Sequence, residues 1–213
     1  MWQFFSDNGD QVKMLFVQHI QLCALALGIA LVVALPIGVL ISRYRFLYVP
    51  IIGLFGAVYT IPSLALFSLL VPFVGLGTTP ALIALVVYAQ FILIRNIVTG
   101  LRGVDTAVVE AARGMGMSAL QILLRVEFPL ALPVVVAGLR IATVTVIAVA
   151  TVATYISAGG LGDLLREGVQ LTANLQQREL EAATLALAVL AIGADLILRL
   201  FETLATRLAG RAT

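Results

Sequence analysis

The chain has 213 residues, 62% of them hydrophobic and only 11% charged, with a mean hydropathy of +1.11. No soluble domain of this size is so apolar, so the sequence reads as an all-α integral membrane protein, one transmembrane domain over 1–213. A net charge of +2 gives no basic surface for nucleic acid, and one cysteine with one histidine gives neither a disulfide framework nor a metal-ligand set.

In chain order, Trp2, Phe4 and Phe5 fit an interfacial anchor, because aromatic side chains favour the headgroup level. The start lacks a basic n-region and a small-residue cleavage site, so the first span is expected to be retained. That span is predicted over about 20–41, with His19 as an interfacial side chain at its edge, Cys23 as a small buried apolar residue and Pro36 as a kink. Span two is predicted over 49–74 with a bend at Pro62, whose freed backbone groups Thr60 and Ser63 can satisfy. Span three covers about 81–101, span four 130–156 and span five 180–204. Five spans put the termini on opposite sides. One side would hold Arg43, Arg45, Arg95, Arg102, Arg113, Arg125, Arg199, Arg207 and Arg211, against Lys13, Arg166 and Arg178 on the other. The excess of arginine is expected in the cytoplasm, with the N-terminus outside and the C-terminus inside.

Between spans three and four lies a polar island, about 105–129. It carries Glu110, Arg113, Arg125 and Glu127, which lipid would penalise by a few kcal/mol each at the bilayer centre. It therefore sits in water or against protein. Asp105 can cap a helix running to about Arg113, and Ala111 and Ala112 leave room for close approach. Gly114 and Gly116 can end it. Ser118 and Gln121 form a capping-box pattern for a second short helix, with Leu120, Leu123 and Leu124 on one face and Pro129 as its end. Such a segment is either an ordinary interfacial loop helix or a rigid docking lever.

The order Glu110-Ala111-Ala112, then Gly116, then Val126-Glu127-Phe128-Pro129 resembles the cytoplasmic signature of permease subunits in bacterial ABC importers. Valine and phenylalanine replace the usual isoleucine and leucine and keep their apolar bulk. The resemblance covers most of the chain and implies the five-helix core of the type I importer permease. The stretches Thr60 to Phe67 and Ala158 to Asp163 are similar to permeases for glycine betaine, carnitine and choline. The resemblance further implies ATPase coupling through Glu110, Ala111, Ala112, Gly116, Met117, Ser118, Gln121 and Pro129. It also implies a cytoplasmic ABC ATPase dimer holding ATP and Mg, a second permease subunit, a separate extracellular or periplasmic binding protein, and a place in the lipid of the bacterial cytoplasmic membrane. A methionine-like amino-acid importer is the alternative within the class.

The chain has no catalytic or metal residues of its own in this reading. Its only lysine, Lys13, follows no phosphate-binding glycine loop, so ATP hydrolysis belongs to a partner. Arg140 and Asp195 fall at similar depths in antiparallel spans and are expected to pair. The open alternative is that Arg140 faces a wet pathway while Asp195 finds a serine or a backbone group. These two residues are the sole support for an ion-coupled carrier. An intramembrane hydrolase would need a base that isolated His19 does not supply. Candidate pathway residues are Tyr59, Pro62, Ser63, Tyr88, Gln90, Thr154 and Tyr155, with Tyr59, Tyr88 and Tyr155 able to meet a quaternary ammonium group. The glycine run 159–162 is expected to turn the chain, and Asp163 to cap a short helix reaching about Val169.

Overall fold

The computed structural model describes residues 8–170 and 173–209. Trp2, Phe4, Phe5 and Arg211 lie outside the described residues, so the aromatic anchor does too. The described chain is helical. The elements are α1 (Gly9–Arg43), α2 (Tyr48–Tyr59), α3 (Ser63–Val74), α4 (Thr78–Arg102), α5 (Thr106–Gly114), α6 (Ala119–Ile122), α7 (Phe128–Val152), α8 (Gly162–Gln170) and α9 (Ala173–Ala209). Four continuous stretches are long and apolar enough to cross a bilayer: α1, α4, residues Ala119–Ile156, and Glu179–Arg207 within α9.

The second crossing is not the kinked single helix that Pro62 suggested. It is a broken pair, α2 and α3, bent by 95°. Proline has no N–H to continue the ladder, and Thr60 and Ile61 close α2 with tight turns onto Gly56, Ala57 and Val58. The pair still runs from one end of the molecule to the other. At its start Tyr48 lies under the Arg102 guanidinium, 5.2 Å from ring centre to Cζ. Just beyond its end, the Gly77 N–H donates to Ile156 O at 2.7 Å. The chain therefore passes between the two ends five times.

The first span begins earlier than expected. At 35 residues, α1 is about 52 Å long, well beyond a hydrocarbon core of about 30 Å. His19 is fully buried rather than interfacial, with Nε2 3.2 Å from Ile147 O. It belongs to the buried stripe Leu15, His19, Leu22, Ala26, Ala30, Ala34 of α1. Pro36 does not interrupt the helix. The small residues of that stripe let α1 close tightly on α4, and α4 in turn packs on α7. A Cβ at Gly38 would come within 2.4 Å of Ile97, and one at Gly138 within 2.3 Å of Asn96. Gln90 is buried at this seam and its amide NH2 donates to a helix partner, Ala30 O, at 3.1 Å, while its Oε1 is left without a partner.

At the end remote from the polar island, Val12 and Leu15 of α1, Leu161 just before α8, Leu164 within it, and Ala183 and Ala186 of α9 form a second apolar cluster. Asp163 is not the N-cap of α8. It lies inside the helix and accepts from the Thr154 hydroxyl. Gly162 opens α8 because a Cβ there would stand 2.1 Å from Thr151 O. Gly162→Ala is expected to destabilise the protein by about 1–3 kcal/mol through overpacking. Gly28→Ala, where a Cβ meets nothing within 4 Å, should leave stability unchanged or raise it slightly. Thermal unfolding of the two variants in detergent measures the contrast.

Candidate functional site

The polar island folds as two locally encoded pieces. Asp105 Oδ1 accepts from the Ala107 N–H at 2.8 Å and starts α5. At its end the Met117 N–H bonds to Ala112 O and the Gly116 N–H to Arg113 O, with Gly116 at φ +82°. This pair of bonds is the Schellman closure, which requires a left-handed residue where Gly116 stands. Ala112 is buried at its foot. The next helix opens on a complete capping box: the Ser118 N–H donates to Gln121 Oε1 at 2.8 Å, and the Gln121 N–H to Ser118 Oγ at 3.4 Å.

That second helix is not short and Pro129 does not end it. Four residues of α6 pass into a π turn, Leu123–Glu127, which leads directly into α7. A π turn widens the ladder by one residue, and Pro129 follows in the first turn of α7, where its missing N–H does least harm. The island is thus joined to span four as one rod from Ala119 to Ile156.

The rod is tied twice. Glu127, only 8% exposed, receives a two-pronged contact from the end of α1: Arg43 Nη1 donates to Oε1 at 3.1 Å and Nη2 to Oε2. Midway along α7, Arg140 Nε donates to Asp195 Oδ1 at 2.7 Å, and Arg140 Nη1 to Glu202 Oε2 at 2.8 Å. Arg140 thus grips two carboxylates one heptad apart on α9. Glu127 stood out in the sequence as a charge of the polar island but without its partner Arg43, and Glu202 did not stand out. The spacing of Glu202 from Asp195, seven residues on one helix face, is the signal that could have found it. Glu110 pairs with Arg113 at 2.8 Å on the exposed surface.

The island presents apolar surface. Met115 is 76% exposed, Leu120 63% and Leu124 59%. Leu123 packs inward and Ile122 is buried. Ala111, Gly116, Ser118 and Gln121 are also exposed, and Met117 is half-buried. Between this surface and the end of α1, a cleft of about 280 Å³ is bordered by Arg43, Arg102, Glu110, Arg113 and Glu127.

The candidate pathway residues divide. Tyr59 and Tyr88 meet edge to face at 5.8 Å beside the break at Pro62, with Phe91 tilted 5.1 Å from Tyr59. The Tyr88 hydroxyl donates to Ile61 O, so this side chain repairs the break. Thr60 Oγ1 returns to Ala57 O, while no side chain caps the helix that Ser63 begins. Gln90 and Thr154 are buried and hydrogen-bonded, and Tyr155 is exposed at the far end of the molecule. Tyr155 makes no ring contact with the other two tyrosines.

An all-helical membrane subunit with five crossings, and a capped amphipathic element fused to the fourth, defines the permease class of the type I importer fold. A chain of the MetNI methionine ABC transporter in an inward-facing conformation superposes with a TM-score of 0.82 at 22% identity, covering 91% of this chain and 95% of that one. This likeness concerns the fold alone. The chain belongs to the binding-protein-dependent transport system inner membrane components, matched over residues 24–207. It is 45% identical to the carnitine transport permease protein OpuCB of Listeria monocytogenes over 79% of this chain and 77% of that protein. It is 38% identical to the osmoprotectant import permease protein OsmW of Salmonella typhimurium over 95% of each. It is 35% identical to the choline transport system permease protein OpuBB of Bacillus subtilis over 94% and 91%.

The Arg140 cluster predicts an asymmetric mutational response. Arg140→Met leaves two carboxylates without their cation and should cost about 2–3 kcal/mol, below the value for a fully buried pair because each side chain keeps about a third of its surface. Asp195→Asn should cost about 1 kcal/mol or less, since Glu202 still answers the guanidinium. Removing all three charges together should return stability to within about 1 kcal/mol of the parent. Denaturation of the variants in detergent micelles gives the comparison.

Proposed function

We propose that this chain forms half of the translocation pathway of an ATP-driven importer for a compatible solute of the glycine betaine, carnitine and choline class. The relatives named for carnitine, choline and osmoprotectant transport support the substrate class. The observation on which the mechanism rests is the exposed apolar face of Met115, Leu120 and Leu124 on a rod continuous with a membrane span. Apolar side chains exposed on a helix rigidly capped at its start suit a groove on another protein. In this reading Glu110, Ala111, Ala112, Gly116, Met117, Ser118, Gln121 and Pro129 form or shape the seat of a cytoplasmic ATPase, which holds the ATP and Mg. Closure of two ATPase subunits moves the seat. The rod passes that motion to α1 through Glu127–Arg43 and to α9 through Arg140. The island end is then cytoplasmic and the N-terminus outside. A second permease chain completes the pathway, Tyr59, Pro62, Ser63 and Tyr88 lie along it, and a separate binding protein delivers solute to the outer end.

Vesicles holding this chain with its second permease subunit and ATPase should take up glycine betaine, carnitine or choline when ATP and the loaded binding protein are both present. Vesicles holding this chain alone should show no uptake under an ion gradient; uptake there supports a carrier instead. Gly116→Val should lower solute-stimulated ATP hydrolysis and uptake at least about tenfold while the chain still inserts. A β-branched residue is held in the left-handed region only at a cost of about 1–2 kcal/mol, and the Schellman turn that orients the seat opens. ATP hydrolysis and uptake measured side by side on this variant test the assignment of the seat.

A further inference from the structure

The end of the molecule opposite the polar island contains a cavity of about 750 Å³, a volume typical of small-molecule sites. It lies between α1, the start of α4 and the loop into α8. Its polar lining includes Gln18, Gln21, Thr78, Thr79, Asp163 and Arg166, and none of the lining residues among those described is aromatic. Among the described lining residues, the group that attracts a quaternary ammonium is the Asp163 carboxylate.

Asp163 and Arg166 stand one turn apart on α8, a spacing at which opposite charges commonly pair. They do not pair: no salt bridge among the described residues joins them. The Asp163 carboxylate takes the Thr154 hydroxyl and keeps other acceptor sites free. Arg166 Nε is shut off from solvent and has no hydrogen-bond partner. Arg166 also borders the cavity and makes no ion pair among the described residues, so the rest of its guanidinium is left to meet, with a charge-assisted bond, a carboxylate that enters the cavity. Gln18 does not serve as that acceptor, because its Oε1 takes the Gly160 N–H at 3.4 Å.

We infer that this cavity is a transit site for zwitterionic solutes, in which Arg166 receives the carboxylate and Asp163 faces the ammonium group. The inference rests on the compatible-solute reading above and sharpens it. Glycine betaine and carnitine bear a carboxylate and choline does not, whereas all three bear the same quaternary cation. Asp163 therefore serves the three alike, and Arg166 separates them.

The test uses the whole importer in vesicles, with ATP, and with binding protein and solute saturating so that the binding protein's affinity does not set the rate. Arg166→Gln should lower the maximal uptake rate of glycine betaine about tenfold and leave that of choline within about twofold. Arg166→Lys keeps the charge and should recover part of the betaine rate, to about a third of the parent's. Equal losses for the two solutes, or no loss for either, overturn the inference and leave the importer reading standing. If Arg166→Gln fails to assemble, Arg166→Lys decides: it should slow betaine about threefold and spare choline, and an equal effect on both counts against the site. A parent complex that carries choline but no carboxylate-bearing solute also overturns the inference. One that carries none of the three removes the substrate class on which it rests.

Discussion

Backbone groups inside a bilayer have no water to turn to, and each place where a helix ladder fails must be mended by protein. Three places where a ladder fails organise this chain, and the one at Gly116 lies in the exposed polar island. At the break before Pro62, the Thr60 hydroxyl and the Tyr88 hydroxyl return to Ala57 O and Ile61 O. At the end of α5, the turn at Gly116 folds two N–H groups back onto α5. Between the island and span four, the π turn re-registers the ladder so that Pro129 can follow without severing it. The first repair allows a 95° bend, the second an abrupt reversal, and the third an uninterrupted rod. The same chemical requirement thus yields joints in two places and stiffness in the third.

Charge follows a parallel logic. Two groupings of charge tie the helices together: Arg43 with Glu127, and Arg140 with Asp195 and Glu202. Each grouping joins α7 to a different helix. The first fixes the base of the rod to α1 and the second fixes its middle to α9. A displacement of the island therefore moves α7 against two partners that hold it by directional, bidentate or paired contacts. The tightly fitted seam of Ala30, Ala34, Gly38 and Ile97 keeps α1 and α4 together as one body.

Local features could be read from the residues because their partners lie within one turn. Asp105 with Ala107, and Ser118 with Gln121, are three residues apart or fewer, and side-chain type fixes what they do. The five crossings followed from apolar run length, and the family resemblance from the spacing of Glu110, Gly116 and Pro129. Long-range partnerships were less legible. Arg43 and Glu127 are 84 residues apart, and Gln90 and Ala30 are 60 apart, and no periodicity links either pair. Tyr88 was read for its ring, whereas its hydroxyl mends a backbone break that only the fold creates. Pro62 announced a disturbance but not its angle, which depends on what packs around the freed groups. His19 was misplaced although its position, four residues after Leu15 and three or four before Leu22 and Cys23, falls on the buried side of α1. Helical spacing outweighs polarity there: Nε2 reaches Ile147 O, while Nδ1 is buried without a partner.

Both terminal helices outlast the bilayer. α1 has 35 residues and α9 has 37, each with about 20 Å to spare beyond a hydrocarbon layer of about 30 Å. Part of that surplus, with α8 wedged between, is glued by Val12, Leu15, Leu161, Leu164, Ala183 and Ala186 into a tripod. Two of its legs, α1 and α9, are themselves spans. A push or pull on α1 or α9 at this end enters the membrane along a stiff helix.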